Sequence, residues 1–252
     1  MISSADVATQ VQFFRDNGYV KLGRILTDAQ LEALRSAADA QRLQPSGPVT
    51  FDKRLGEPVV LRVSRVIQRN GLFLEAATLP VVVSVISQLL GAPFEVCLNR
   101  CNMLLYKPPY HEDTIEWHQD ARGWQCNRLL AMMLALDDVT AANGCLHVAP
   151  RIHLHPKYKE PEAAADYSAP FYEEAIADSL PVECKAGEAF LFHSLTPHSA
   201  QANSTATSHR SLHFAYVASA DRHLVQPVSS FGELESIAIE QDDAQSRPLL
   251  AE

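Results

Sequence analysis

The chain has 252 residues, 47% of them hydrophobic and 20% charged, which is enough apolar material for one sizeable core. Its formal net charge of −9, from 21 Lys and Arg against 30 Asp and Glu, repels a phosphate backbone, and no Lys/Arg cluster offsets it; this argues against a nucleic-acid partner. No apolar run approaches the roughly 20 residues of a membrane span, and neither the N-terminal MISSADVATQVQFFRDNG nor the C-terminal LLAE reads as a targeting signal.

Residues 5–16 suit a first helix, Gly18 permits a turn, and Tyr19 to Leu22 is a short strand. Thr27 caps a second helix that places Leu31, Leu34 and Ala38 on one face. Residues 43–58, with three prolines and two glycines, predict a loop. Leu79 to Leu90, led by Pro80 and stopped by Gly91, predicts a helix, although its Val81-Val82-Val83 run is strand-compatible. Beyond Gly91 the character changes. Phe94 to Tyr106, Leu129 to Leu136, Cys145 to Val148, Ala189 to His193 and Ser211 to Val217 read as short strands parted by turn residues. The expectation is one mainly β domain with flanking helices. It has a helical part at 1–92, a jelly-roll core at 93–220 whose longest insertion is 155–179, and a tail at 221–252. Five cysteines, odd in number and without CxxC spacing, read as reduced thiols in a cytoplasmic protein.

The chemistry concentrates in Trp117-His118-Gln119-Asp120. On an extended segment residues i and i+2 share a face, so His118 and Asp120 can reach one point while Gln119 turns away. One imidazole and one carboxylate leave a metal short of protein ligands. His198, at a turn with Pro197 after the strand Ala189 to His193, is the best third candidate. Two His and one Asp make the facial triad of non-haem Fe(II) oxygenases, which leaves positions open for a bidentate 2-oxo acid and O2. Twelve residues after His198, Arg210 opens an apolar strand. Its planar fork suits a carboxylate, either that of 2-oxoglutarate or one in an internal salt bridge.

Together these residues resemble the phytanoyl-CoA dioxygenase superfamily. Phe13 to Val20 is similar to the family's opening segment, and Leu26 to Leu31 to the helix start that follows it. Met103 to Pro109, the WHQD segment, Asn143-Gly144-Cys145-Leu146, Ala186-Gly187-Glu188 and the series His198, Asn203, Arg210 match in order. The resemblance spans about residues 10–218. It implies a double-stranded β-helix (cupin-like) fold, Fe(II) held by His118, Asp120 and His198, 2-oxoglutarate held by Arg210, and O2 as oxidant. It also implies that Met103 and Met133 lie beside the co-substrate; read from the residues alone, both are core filler. Trp124, six residues after His118, and Arg122 correspond to substrate contacts, with core packing the other reading of Trp124. In related halogenases a small residue stands at the place of Asp120, so hydroxylation, desaturation or ring formation is the implied outcome.

Three departures stand out. Pro150-Arg151-Ile152-His153 lacks a glycine usual in the family, which alters a turn. His198-Ser199-Ala200 replaces the family's His-Gly-Ser. The interval from His198 to Arg210 is about one residue long, and His209 should point opposite to Arg210. His153 and His155 form an HxH pair that could serve a cupin-type metal site without 2-oxoglutarate. A catalytically inactive binding protein on the same fold is the other alternative. The expected partner is a small molecule, natural-product or amino-acid-derived, with 155–179 as a lid faced by Tyr158, Tyr167, Phe171 and Tyr172. No membrane partner is expected, and the oligomeric state stays open, a homodimer among the options.

Overall fold

A computed structural model describes residues 4–45, 47–52, 57–91, 93–121, 126, 128–156, 169–225 and 232–240. Helix α1 (Ser4–Asn17) leads into strand β1 (Tyr19–Arg24) and then α2 (Asp28–Leu43). Helix α2 begins with a capping box: the Thr27 hydroxyl accepts from the Gln30 amide and the Gln30 side chain accepts from the Thr27 amide, which satisfies two otherwise unpaired donors. Strands β2 (Val49–Asp52) and β3 (Val59–Ser64) follow, then α3 (Gly71–Ala77) and α4 (Pro80–Leu90). The remaining elements are β4 (Phe94–Cys97), β5 (Met103–Lys107), β6 (Ile115–His118), β7 (Leu129–Ala135), β8 (Leu146–Val148), α5 (Ala169–Ile176), β9 (Leu180–Val182), β10 (Glu188–His193), β11 (His198–Ala200), β12 (His209–Ala218) and β13 (Ser236–Ile239).

The strands form two antiparallel sheets. The larger runs β1-β10-β7-β12-β5-β3-β2, with β4 and β13 added beside β12; the smaller runs β6-β11-β8-β9. Helices α1 to α4 pack on the outer face of the large sheet. There Leu104, Met132, Leu134, Leu212, Phe214 and Tyr216 meet Leu34, Phe73, Val82 and Ile86 in one core, and the Tyr216 hydroxyl donates to the Ala77 carbonyl at 2.8 Å. A second apolar cluster, including Met133, Val148, Val182, Phe190 and Phe192, fills the space between the sheets. Strand β7 is therefore buried on both faces, which is why its sequence, LLAMMLA, is a continuous apolar run rather than an alternating one. The expected jelly roll, buttressed by helices on one sheet, is what forms.

Several elements differ from expectation. The segment 43–58 contains β2, and β3 follows it; neither was foreseen. The strand-compatible stretch Phe94 to Tyr106 forms two strands, β4 and β5, because the Asn102 side chain bonds the Ile67 amide, the Gln68 side chain and the Leu98 carbonyl while Cys101 adopts φ 43°. The stretch 221–252 supplies β13, which pairs with β4. Within 155–179, the helix α5 is present; Tyr158 and Tyr167 lie outside the described residues, as do the side chains of Phe171 and Tyr172.

Arg151 stands where the family's glycine was missed, with φ 67°, a left-handed conformation costing a branched-at-Cβ-free side chain about 1–2 kcal/mol. Among the described residues its guanidinium makes one ion pair, with exposed Asp178 at 3.9 Å, while its backbone N–H donates to the Asn17 carbonyl, a bond that survives any substitution but proline. Arg151→Gly should therefore raise stability by about 0.5–1 kcal/mol, the relief of strain being partly offset by the freer unfolded chain. Chemical denaturation of the two proteins checks this.

Candidate active site

Strands β6 and β11 are antiparallel neighbours, and their register sets His198 directly opposite His118. Asp120 lies just past the end of β6, on the side of His118, as i, i+2 spacing requires. The two imidazole centroids are 4.2 Å apart. Asp120 Oδ1 is 3.8 Å from Nε2 of His118 and 3.8 Å from Nε2 of His198. Each histidine's Nδ1 is against a backbone carbonyl, Glu116 at 2.8 Å and Thr196 at 3.0 Å. Nδ1 is thereby the protonated nitrogen, and the Nε2 lone pairs face Asp120. Burial lowers the basicity of His198, partly offset by the Asp120 charge, so its imidazole is neutral and ready to ligate.

The surrounding backbone holds these side chains. The Gln119 side-chain amide, turned away from the triad, donates to the Leu195 carbonyl at 2.6 Å and ties the two ligand-bearing segments together. The Thr196 hydroxyl donates to the Gly18 carbonyl at 2.9 Å. Gly18 itself has φ +80°, and a Cβ there would lie 2.4 Å from His153 Nδ1 and 2.6 Å from Thr196 Oγ1. Gly18→Ala should thus cost roughly 2–4 kcal/mol through backbone strain and overpacking. It should also weaken metal binding, because Thr196 carries the carbonyl that orients His198. Melting and metal titration of the variant test both halves.

A cavity of about 320 Å³ runs along the inner face of the large sheet, lined among others by Arg62, Lys107, Met133, His209, Ser211 and His213. Its volume sits near the lower end of the usual ligand-pocket range, about 300–1,000 Å³. Burial pushes the His213 imidazole down to about 3, helped by the charges of His198 and His209, and the His209 imidazole down to about 4, helped by Lys107. These couplings trace a path of neighbours from the triad through His213 and His209 to Lys107. A second cavity, about 200 Å³, opens on Asp120 and is lined by Arg62, Ser64, Asn99, Arg100, Asn102 and Met103 among others.

Of the residues singled out by sequence, His118, Asp120 and His198 converge. Met103 and Met133 flank His213 from the two strands beside β12, on the inner face. Trp124 and Arg122 lie outside the described residues. Arg210 does not join the triad. Side chains alternate along β12: His209, Ser211 and His213 face the cavity, whereas Arg210 shares the outer face with Leu212, Phe214 and Tyr216. Its Nε and Nη2 clasp Asp137 at 2.8 and 2.9 Å, and Nη1 reaches Asp39 at 2.8 Å. The expectation that Arg210 clamps 2-oxoglutarate is corrected by this geometry. Alternation along β12 sets the arginine on the outer face, and the internal salt-bridge reading is the one realised. Lys107 and His209 were given no role from sequence; the long His198–Arg210 interval was the signal that could have pointed to them.

Among the described residues the HxH pair forms no metal-ligand group either. His153 is buried against the Arg15 carbonyl and the His193 ring, and His155 is exposed. Among the described residues one further group, Asp52, His111 and Asp113, has metal-ligand spacing, but there one imidazole sits between two carboxylates, Nδ1 at 3.4 Å and Nε2 at 3.5 Å.

A family model described as phytanoyl-CoA dioxygenase (PhyH) matches residues 14–211. Among curated relatives, a probable phytanoyl-CoA dioxygenase of Caenorhabditis elegans is 24% identical over 223 residues, covering 79% of this chain and 71% of its own. A methylphosphonate hydroxylase of Gimesia maris is 24% identical over 224 residues, covering 86% and 82%. Among solved structures, the non-heme alpha ketoglutarate dependent carbocyclase SnoK from nogalamycin biosynthesis is similar with a TM-score of 0.73 at 22% identity, covering 92% of this chain and 95% of that one. EctD from S. alaskensis, solved with 2-oxoglutarate and 5-hydroxyectoine, gives 0.72 at 21% identity, covering 90% and 84%. These two likenesses establish a shared fold.

Proposed function

The chain belongs to the phytanoyl-CoA dioxygenase family, and from that premise we propose that it is an Fe(II)- and 2-oxoglutarate-dependent oxygenase acting on an unactivated C–H bond of a small molecule. The observation that carries the reading is the convergence of two Nε2 atoms and one carboxylate oxygen beside a cavity that opens on Asp120. The donor set fits iron. His118, Asp120 and His198, whose ligand atoms lie within 4.8 Å of one another, would hold the ion as a two-His, one-carboxylate set, which would leave positions for exogenous ligands.

When bound, iron with a chelated 2-oxo acid supplies the activation of O2 that oxidises substrate, with succinate and CO2 as co-products. The chain's own part is placement. Glu116 and Thr196 carbonyls fix the tautomer and tilt of the two histidines. Phe192, against the His198 ring at 4.7 Å, and the inter-sheet cluster keep bulk water from the buried side. The second cavity, with Asn99, Arg100 and Asn102 in its wall, suits a small polar substrate better than an acyl chain. This supports an amino-acid-derived or natural-product molecule over an acyl-CoA.

The test is an anaerobic titration of apoprotein with Fe(II) and 2-oxoglutarate, read by the weak visible charge-transfer band of the chelate. The band should appear, and His198→Ala should lose it. Iron binding without the band would turn the reading toward a cupin-type enzyme, and no iron binding toward a binding protein.

A further inference from the structure

Resting on the oxygenase reading, we propose that the far carboxylate of the 2-oxo acid is held by Lys107 and His209, paired across β5 and β12, rather than by Arg210. Lys107 and His209 are register partners on adjacent strands and line the same cavity as Met133, Ser211 and His213. Among the described residues Lys107 makes no ion pair within 4 Å, the Asp113 charge acting on it only from a distance, whereas His111 in the same cavity wall is held between Asp52 and Asp113. A protein of net charge −9 has thus placed a part-buried ammonium in the wall of a mostly apolar cavity, where an uncompensated charge is costly. An anionic ligand resolves that conflict.

The detailed geometry agrees. The Lys107 ammonium donates to the Gly144 carbonyl at 3.1 Å and to the Gln201 carbonyl, which leaves one of its three donors for a ligand. Burial holds its pKa down to about 8, as expected of an ammonium short of counter-charge. His209 is 7% exposed, and its Nδ1 is buried without a hydrogen-bond partner. The ring also interacts with the Asn143 carbonyl, which needs a donor. An imidazole that serves both that carbonyl and a carboxylate must carry two protons, so His209 takes up a proton as the ligand binds. The groups facing it are Lys107 on β5, Asp137 after β7, and His213 on its own strand. Lys107 opposes protonation, and the ligand's carboxylate reverses that balance.

Calorimetry on anaerobic, Mn(II)-loaded protein tests the assignment, with 2-oxoglutarate and 2-oxobutyrate, which lacks the far carboxylate, as probes. Wild type should prefer 2-oxoglutarate, and its affinity for it should fall as pH rises through neutrality. Lys107→Met should lose about ten- to a hundredfold for 2-oxoglutarate, the scale of a charge-assisted hydrogen bond, and almost nothing for 2-oxobutyrate. Lys107→Arg should retain the preference, and His209→Gln should flatten its pH dependence. Arg210→Lys should leave the preference intact. The assignment is overturned if Lys107→Met, still folded by its melting curve, keeps the wild-type preference, or if Arg210→Lys abolishes it. Wild type that binds neither probe would instead sink the oxygenase reading on which the assignment rests.

Discussion

Asp120→Ala protein should bind Fe(II) more weakly by well over the roughly 10–100-fold that loss of an outer hydrogen-bond partner costs a metal site, and should lose turnover with it. The argument is one of donor count. His118 and His198 supply neutral nitrogens, and Asp120 supplies the only carboxylate among the described residues of the triad. Without it the ion keeps two ligands and no charge compensation. The metal-free fold should be nearly indifferent to the change, because the Asp120 side chain is 31% exposed and its neighbours stand at 3.8 Å, beyond hydrogen-bonding range. Melting with and without Fe(II) separates the two effects. Wild type should gain stability from the metal by mass action, and Asp120→Ala should gain none while melting near the metal-free wild-type temperature. A variant that keeps full turnover would remove Asp120 from the ligand set.

What the sequence disclosed follows from which interactions are local. The period-two rule placed His118 and Asp120 on one face and Gln119 on the other, and Thr27 with Gln30 announced the start of α2. The apolar runs of β7, β10 and β12 were visible because those strands are buried on both faces. Strand β2 was hidden by the prolines and glycines around it, and β6, Ile115–His118 with an exposed-to-intermediate pattern, has no alternation to detect. That β11 would lie beside β6 depends on long-range pairing, which no local pattern encodes; the position of His198 after a strand and at a turn was enough to choose it, but not to place it opposite His118. Arg210 shows the converse. Its residue type was right for a carboxylate, and the carboxylate turned out to be that of Asp137, because parity along β12 sets the arginine on the outer face. The same parity turns His209 inward.

Arg210→Met should destabilise the fold by about 2–4 kcal/mol, somewhat below the cost of breaking a fully buried pair, since the side chains of Arg210 and Asp137 retain 16% and 21% exposure. The loss arises from Asp137, which keeps Arg35 at 3.3 Å but loses its bidentate partner and the backbone amide geometry that the arginine stabilises. The pH dependence gives a sharper signature. Burial opposes ionisation of Asp137, but hydrogen bonds and charge from Arg210, with help from Arg35, outweigh it and hold the carboxyl below its ordinary value. A depressed carboxylate pKa contributes stability above its unfolded-state value, about 4, and that contribution disappears as pH falls through the folded-state value. Wild type should therefore lose more stability between neutral pH and about pH 3 than Arg210→Met does, and the two denaturation curves should converge in acid. If Arg210 instead faced the metal cavity, the variant would melt like wild type and its acid profile would run parallel. Urea denaturation at neutral and acidic pH distinguishes the two, and it does so without reference to iron, 2-oxo acid or turnover.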